Sequence, residues 1–193
     1  MSDMAIEYQH RPITADEYQR MGELGILAAD ERVELLDGEL IVMPPMGLPH
    51  AASVSRLTRL FLMRLGESAD VRPQLPVRLS RISEPQPDFA LVMLRADFYA
   101  AGHPASADTY ALIECADSSL RYDRGKKLVA YARAAIREYW IVNLSDESIE
   151  IYRDPSDLGY ATSLVARVGD GVAFAGFPDV RFDVAELLGC KRP

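Results

Sequence analysis

The fold is decided by residues 110–144, which read YALIECADSSLRYDRGKKLVAYARAAIREYWIVNL. The segment Tyr110–Cys115 is a short, nearly continuous apolar run of the kind found in buried strands. From residue 123 to about residue 135 the apolar side chains recur at helical spacing, and residues 138–144 then return as a second strand. A strand, a helix and a strand in this order predict a right-handed crossover unit and therefore an α/β fold.

The segments on either side of this unit predict the rest of a sheet. The apolar run Pro85–Met93 is typical of a second buried strand, the alternating run Ser148–Arg153 of a half-exposed one, and residues 160–174 of further strand material. Apolar and polar side chains also alternate in Val71–Leu79, whose two prolines lack an amide donor and favour the edge of a sheet. Residues 95–108 are a polar connection. We therefore predict a central mixed β-sheet flanked by helices.

The N-terminal part of the chain predicts a helix followed by a β-hairpin. Thr14 and Glu17 have the spacing of a capping box, which predicts a helix over about residues 14–21. Within residues 32–43 two apolar-rich runs flank Asp37-Gly38, and this dipeptide supplies the positive backbone angles of a tight hairpin turn.

Two further helices are predicted. After a proline-rich loop, the segment that begins at His50 carries apolar residues at helical spacing up to Gly66. Near the C terminus, Asp183-Val-Ala-Glu186 forms a second capping-box pattern, with flanking apolar residues placed to form a hydrophobic staple.

Composition indicates a globular protein with a substantial core. The chain has 193 residues, of which 49% are hydrophobic and 26% charged. These values exclude collagen-like, mucin-like and mostly disordered proteins. The length fits one domain, which we predict over residues 1–193, and a domain of this size buries about 70% of its unfolded surface.

The charge balance argues against tight nonspecific binding to nucleic acid. There are 29 acidic and 21 basic side chains, a formal net charge of -8, so the overall field opposes a phosphate backbone. Net charge leaves open a local binding groove, or a metal ion that bridges acidic protein and acidic substrate.

Cysteine usage and the N terminus bear on location. Cys115 lies within an apolar run and Cys190 near the C terminus, so the sequence does not indicate a disulfide framework. We therefore expect the protein to be in the reducing cytoplasm. The first residues lack a basic region followed by an apolar stretch, and no run approaches the roughly 18 apolar residues of a membrane span. We expect neither export nor membrane insertion.

Two acidic residues interrupt the apolar strands. Asp88 and Glu114 each lie in a run predicted to be buried, where an unpaired carboxylate costs several kcal/mol. If the two strands are neighbours, the acids can converge and present hard oxygen ligands, which Mg²⁺ and Mn²⁺ prefer. The alternative is that each acid ends a strand and faces water or an arginine.

A lysine on the following helix lies within reach of Glu114. At about 100° per residue, Lys127 lies roughly 90° from the centre of the buried helix face, whereas Lys126 lies roughly 170° away. We therefore expect the side chain of Lys126 to face solvent. The stem of Lys127 can follow the core while its ammonium returns toward Glu114, although two merely solvated lysines remain an alternative.

Several motifs occur together along the chain. They are Pro87-Asp88, residues 113–120 (IECADSSL), residues 122–128 (YDRGKKL), residues 131–134 (YARA) and residues 138–142 (EYWIV), preceded by residues 32–39 (RVELLDGE) and by His50. In combination they resemble the Uma-type family of putative restriction endonucleases, in the PD-(D/E)XK nuclease superfamily. The resemblance extends from about Thr14 to Tyr152 and implies a restriction-endonuclease-like fold.

The resemblance also implies roles for individual residues. Asp88 matches the motif aspartate and Glu114 the motif glutamate, both implied metal ligands, with the backbone carbonyl of Cys115 as a further ligand. Glu34 matches an upstream acid that binds the metal directly, acts through a water molecule or orients the lysine.

The catalytic lysine departs from the superfamily pattern. The usual lysine lies two residues after the glutamate, where this chain has Ala116. Lys127 matches the lysine that this family carries on the next helix, which agrees with the angular argument above.

The implied chemistry is metal-assisted hydrolysis of a phosphodiester, with Mg²⁺ as cofactor and Mn²⁺ as its substitute. Lys127 would orient the attacking water or stabilise charge on the phosphate. His50 is a candidate for substrate contact, and a helix-capping or core-packed histidine is equally compatible with the sequence.

Two other hydrolase classes fit the sequence poorly. The chain has no Gly-x-Ser-x-Gly elbow for a serine hydrolase. Its three histidines are scattered and it has no Cys-x-x-Cys pair for zinc.

The sequence therefore predicts a Mg²⁺-dependent endonuclease that acts on nucleic acid, with DNA as the expected substrate. The competing hypothesis is a non-catalytic binding or regulatory protein on the same scaffold, favoured by the acidic surface and by the lack of a DNA-binding motif. Strand edges near residues 71–79 and 148–153 further predict a homodimer.

Overall fold

The computed structural model describes residues 10–28 and 30–190. The helices are α1 (Ala15–Glu23), α2 (Leu48–Leu65), α3 (Leu120–Tyr122), α4 (Leu128–Arg133) and α5 (Val184–Leu188). The strands are β1 (Val33–Leu36), β2 (Glu39–Val42), β3 (Asp70–Pro73), β4 (Phe89–Val92), β5 (Thr109–Ala116), β6 (Glu138–Asn143), β7 (Ser148–Ser156), β8 (Gly159–Arg167), β9 (Gly171–Val172) and β10 (Phe182–Asp183). Short 3₁₀ turns occur at Gly66–Ser68 and Ser106–Asp108.

A mixed sheet of six strands forms the centre of the structure. The strands follow the order β3-β4-β5-β6-β7-β8. The β5 and β6 strands are parallel and are joined by residues 120–133, whereas every other neighbouring pair in this sheet is antiparallel. The predicted α/β fold with a central mixed sheet is therefore confirmed.

The two faces of the sheet carry separate apolar layers. On one face α2 packs through residues such as Phe61, whose ring meets that of Phe89 edge-on at 5.3 Å. The other face holds Tyr131 of α4 and Tyr139 of β6. Side chains alternate along β5, so Ile113 joins the α2 layer while Leu112 joins the α4 layer.

The N-terminal helix and hairpin are confirmed. Thr14 caps α1 by accepting a hydrogen bond from the amide of Glu17, whose carboxylate accepts from the Thr14 amide. The β1 and β2 strands pair around Asp37-Gly38, which both have positive φ. The predicted turn chemistry therefore produces the hairpin.

The predicted strand over residues 71–79 is wrong in its length. The sheet pairing of β3 ends at Pro73, the next residue Gln74 has a φ of 53°, and Pro76 has no amide to donate. The remainder of the segment forms isolated bridges at Arg78 and Ser80. The prediction of an edge position is correct, because β3 is the first strand of the sheet.

The prediction that residues 148–153 form a sheet edge is wrong. The β7 strand pairs with β6 on one side and along its length with β8 on the other. The edge belongs to β8, which ends at Arg167 rather than continuing to residue 174. The long β7–β8 hairpin therefore converts the predicted edge into an interior strand.

The helix predicted from residue 123 begins earlier and is not regular. Residues 120–133 are helical throughout, but Asp123–Lys127 form a π-helical turn between α3 and α4. A π turn inserts an extra residue into the helical repeat and changes the direction of the side chains that follow.

The C-terminal helix begins at the predicted cap. The carboxylate of Asp183 accepts a hydrogen bond from the amide of Ala185. The carboxylate of Glu186, predicted to complete a capping box, forms an ion pair with Arg64 of α2 at 2.7 Å. Neither Cys115 nor Cys190 forms a disulfide. Within the described part of the chain, no helix combines the length and apolar character that crossing a membrane would require.

Candidate active site

Strand register brings the two predicted acids together. Phe89 of β4 pairs with Ile113 of β5 in an antiparallel ladder, so the preceding Asp88 lies opposite the following Glu114. The amide of Asp88 donates to Oε2 of Glu114 at 3.3 Å, and the amide of Cys115 donates to Oδ2 of Asp88 at 2.8 Å. Both residues are at least 93% buried.

The carboxylate of Asp88 is held from two further directions. His50, in the first turn of α2, places Nε2 at 2.8 Å from Oδ1 of Asp88. Gln74 donates its side-chain amide to the same oxygen at 3.3 Å. His50 therefore lies beside a predicted ligand rather than within the apolar core, and it is half-buried.

The carboxylate of Glu114 is bound by the segment that follows β5. Lys127 places Nζ at 2.9 Å from Oε1, and the hydroxyl of Tyr131 donates to the same oxygen at 2.7 Å. Lys127 is buried, whereas Lys126 is exposed and pairs with Glu39 at 2.7 Å. The π-helical turn thus directs Lys127 more fully inward than a regular helix predicts.

Glu34 reaches the same place from the hairpin. Oε1 of Glu34 lies 3.4 Å from Nζ of Lys127 and accepts a hydrogen bond from the hydroxyl of Tyr122 at 3.0 Å. Oε2 accepts from the amide of Gln86 at 3.0 Å. Of the three roles considered from sequence for Glu34, orienting the lysine is the one that requires this direct contact with Lys127.

Three residues that the sequence analysis did not single out also belong to the cluster. Tyr122 and Tyr131 donate hydrogen bonds to Glu34 and Glu114 respectively, and buried Asp123 accepts from the hydroxyl of Ser119 at 2.6 Å. A usable signal existed for Tyr131, since a tyrosine on a buried helix face needs a partner for its hydroxyl.

A cavity of about 330 Å³ opens onto these groups. It is lined by six of the groups described above: Glu34, His50, Asp88, Glu114, Asp123 and Lys127. The β2 strand and the proline-rich loop after it form much of the rim. Pockets of about 300 to 1,000 Å³ with a few converging polar groups are typical of ligand and active sites.

Comparison with known protein families assigns the chain to one of them. Residues 15–185 match the family model Uma2, described as "Putative restriction endonuclease". The chain belongs to the Uma2 family. This Uma2 assignment covers most of the chain and confirms the resemblance found in the sequence motifs.

Comparison with solved structures confirms the fold of this Uma2 protein. A crystal structure described as "a putative nuclease belonging to DUF820 from Anabaena variabilis ATCC 29413" is similar, with a TM-score of 0.71 and 16% identity. The similarity covers 92% of this chain and 98% of the other. No curated protein matches the chain significantly.

The electrostatics of this Uma2 site are unbalanced. Glu34, Asp88, Glu114 and Asp123 surround the single ammonium of Lys127. Burial, together with the neighbouring carboxylates and against the pull of Lys127, raises the pKa of Glu114 to about 8. Burial likewise raises the pKa of Asp123.

Lys127 is held in its charged form, and the pKa of His50 is shifted upward. Burial opposes the charge of Lys127, but Glu114, Glu34 and Asp123 together raise its pKa well above the usual value. The hydrogen bond to Asp88 raises the pKa of His50 despite partial burial. The site therefore combines one buried cation with several acidic groups.

The donor chemistry of the site fits a hard divalent cation. Within residues 10–28 and 30–190, no group of three or more His, Cys, Asp or Glu side chains is arranged to hold a metal ion. A set of two carboxylates and one backbone carbonyl is a different arrangement, and Asp88, Glu114 and Cys115 are adjoining here. Carboxylate and carbonyl oxygens suit Mg²⁺ and Mn²⁺.

Proposed function

We propose that this protein is a Mg²⁺-dependent endonuclease that hydrolyses phosphodiester bonds in DNA, with Mn²⁺ as a substitute metal. One observation carries the proposal: Asp88 and Glu114 face each other across neighbouring strands, and Glu114 is bound by the ammonium of Lys127. Family membership and the nuclease-like fold support the same reaction class. Two strand carboxylates and a lysine are the groups that such a reaction needs.

The metal would be held by Asp88, Glu114 and the carbonyl of Cys115. The N–H and C=O of one strand residue point toward the same neighbouring strand, and the Cys115 amide donates to Asp88. The Cys115 carbonyl is therefore directed to the Asp88 side of β5. When bound, a divalent ion supplies a Lewis acid for the phosphate and lowers the pKa of a coordinated water.

The side chains supply the remaining steps. Hydrolysis forms a bond from water oxygen to phosphorus and breaks the bond to the leaving sugar oxygen, while the water proton passes to solvent and the leaving oxygen takes up a proton. Lys127, held charged by the surrounding acids, donates toward the negative charge that grows on the phosphate. Glu34 holds Lys127 in place at 3.4 Å.

His50 has a separate role in this proposal. Its Nε2 contacts Asp88, and it lies in the wall of the cavity. We assign it to substrate contact, because a histidine whose pKa is raised by a carboxylate can donate to a phosphate oxygen.

A second candidate function is a non-catalytic binding or regulatory role. The observation that favours it is the occupation of the carboxylate oxygens: His50, Lys127 and Tyr131 all bind Asp88 or Glu114 directly. Such a fully hydrogen-bonded network is also what a purely structural polar cluster would show.

Metal binding separates the two functions without requiring the right substrate. Mn²⁺ would be titrated calorimetrically into wild type, Asp88→Ala, Glu114→Ala and the control Glu39→Ala, an exposed acid on β2. Circular dichroism would show that each variant folds. The endonuclease predicts binding in wild type and Glu39→Ala and its loss in the other two, whereas folded wild type that binds no Mn²⁺ favours the regulatory role.

Cleavage is the second measurement. The endonuclease should convert closed circular DNA to nicked or linear forms in Mg²⁺, and EDTA or the Glu114→Ala substitution should abolish this conversion. Activity that persists in Glu114→Ala would indicate a contaminating nuclease.

Assembly and location complete the proposal. We propose one domain over residues 1–193, a homodimer and a cytoplasmic location. The two sheet edges, β3 and β8, each offer a strand to a second copy, and two cysteines without a disulfide suit a reducing compartment. Sedimentation that finds only monomer at micromolar concentration would remove the dimer from the proposal.

A further inference from the structure

The three candidate catalytic side chains are buried in the structure. Asp88, Glu114 and Lys127 are only 4–7% exposed, and they line a cavity of about 330 Å³. A phosphate that reaches them must enter the cavity with part of its own nucleotide. A base-paired duplex is far larger than this space, whereas an unpaired strand can bend a single nucleotide into it.

The charges around the cavity point the same way. Five acidic side chains line it against three basic ones, Arg32, His50 and Lys127, and the chain as a whole carries a formal charge of -8. A duplex presents one negative charge per about 1.7 Å of its axis, whereas one strand has half that density. An acidic protein therefore repels a single strand less strongly than a duplex.

The rim supplies apolar contact rather than a row of cations. Residues 42–46 (Val42, Met43, Pro44, Pro45 and Met46), which we call the apolar lip, all line the cavity. Val42 is 70% exposed and Met46 37% exposed. Val42 therefore buries little of its surface against the protein itself. The side chains of the apolar lip are matched to the faces of unpaired bases, which are hidden by stacking within a duplex.

We propose that the substrate of this site is an unpaired nucleic-acid strand, with one nucleotide entering the cavity and its base resting against the apolar lip. The inference rests on the proposed nuclease function and specifies its substrate. Duplex DNA is cleaved only where a gap, bubble or overhang leaves nucleotides unpaired.

Cleavage of matched substrates tests the inference. An end-labelled DNA strand would be offered alone, fully paired, and paired except for a central bubble, in Mg²⁺ and in Mn²⁺. We expect cleavage of the single strand and within the bubble at rates at least tenfold above the paired substrate. Equal or faster cleavage of the paired substrate overturns the inference and leaves the nuclease function intact.

If none of the substrates is cleaved, that result counts against the nuclease function itself. A binding measurement then tests the inference about the ligand. Fluorescence anisotropy would give the affinities of wild type and Glu114→Gln for the single strand and the duplex. Tighter binding of the single strand by at least tenfold supports the inference about the ligand. Equal affinity, duplex preference or no binding of either ligand overturns it.

A matched pair of substitutions tests the apolar lip. Met46→Ala removes a rim side chain, and Met63→Ala removes an equally apolar one that is 72% exposed on α2 outside the cavity. We expect Met46→Ala to weaken binding of the single strand about fivefold, the equivalent of losing part of one base contact. Met63→Ala should change it less than twofold, and equal effects of the two substitutions would overturn the assignment of the lip.

Discussion

The ammonium of Lys127 lies 2.9 Å from Oε1 of Glu114, and both side chains are about 95% buried. Glu114 and Lys127 are 13 positions apart in the sequence. The end of β5 and about two helical turns of the following segment bring them together. Tyr131 donates to the same carboxylate oxygen. The pair therefore links the crossover segment directly to the centre of the sheet.

Replacement of Lys127 by methionine should damage both stability and activity. Removing one partner of a buried ion pair costs about 3–5 kcal/mol, because the other charge remains buried. Proton uptake by Glu114, whose pKa is raised to about 8, should reduce this cost progressively below that pH. We expect a loss of about 3 kcal/mol near pH 8, measured by denaturant unfolding, and a cleavage rate at least about 100-fold lower.

Lys126→Met is the control for that substitution. Lys126 and Glu39 are both about 60% exposed, and exposed pairs contribute about 0–1 kcal/mol. Stability and cleavage should therefore remain close to wild type. Equal effects of the two lysine substitutions would contradict the arrangement described here.

The stability contributed by Glu114 should fall as pH rises. Burial raises its pKa to about 8 from the ordinary value of 4.5. Between about pH 4.5 and pH 8, Glu114 is ionised in the unfolded chain and protonated in the folded chain. The free energy of unfolding therefore falls as the pH rises through this range. The slope is at most about 1.4 kcal/mol per pH unit.

Glu114→Gln provides the reference for this measurement, because glutamine is similar in shape and does not titrate. We expect the stability of wild type relative to Glu114→Gln to decrease from pH 5 to pH 8 in parallel denaturant titrations. A difference that stays constant or increases with pH would show that Glu114 is already ionised at pH 5.

Local sequence signals predicted the elements that depend on few residues. The capping box of Thr14 and Glu17 and the turn at Asp37-Gly38 act over three or four positions, and both are present as predicted. The burial of Asp88 and Glu114 could be inferred because each interrupts an apolar run. Their convergence required the two strands to be neighbours, which periodicity alone does not establish.

The features that were missed depend on distant partners. The position of β7 inside the sheet is set by β8, and the β7 sequence does not reveal the length of that hairpin. The π-helical turn at Asp123–Lys127 breaks the regular spacing on which the angular argument relied. Asp123 was predicted only as the start of a helix, and the packing of the crossover segment against the sheet buries it.

The π-helical turn is fixed by an ion pair that we expect to support Lys127. Arg124 donates through Nε and Nη2 to the carboxylate of Glu150 on β7, at 2.9 and 2.7 Å. Arg124→Met should cost about 1 kcal/mol, since the arginine is partly exposed. It should also lower cleavage more than this loss of stability explains, because Lys127 lies three residues further along the same turn.

A double-mutant cycle with Glu150→Gln isolates this contact. We expect the two substitutions together to cost about 1 kcal/mol less than the sum of their separate effects. Arg121→Met, at an exposed position of the same segment, serves as the control and should leave cleavage unchanged. Additive losses in the cycle would mean that Arg124 and Glu150 do not act through each other.

Phe174 tests whether the C-terminal segment belongs to the same cooperative unit as the sheet. Its ring stacks on Trp140 of β6 at 3.9 Å and is buried. Nearby, Glu138 of β6 accepts hydrogen bonds from Arg153 and from the amide of Ala175. These contacts connect residues 174–175 to the central strands.

Phe174→Ala should therefore lower the free energy of unfolding by about 3–5 kcal/mol, as for other buried aromatic truncations. In a single domain the whole unfolding transition shifts to lower denaturant and stays a single step. Phe98→Ala, at a position that is 74% exposed, should change stability by less than about 0.5 kcal/mol. A separate early transition in Phe174→Ala, with the main one unmoved, would show that the C-terminal segment unfolds independently and would contradict the single domain.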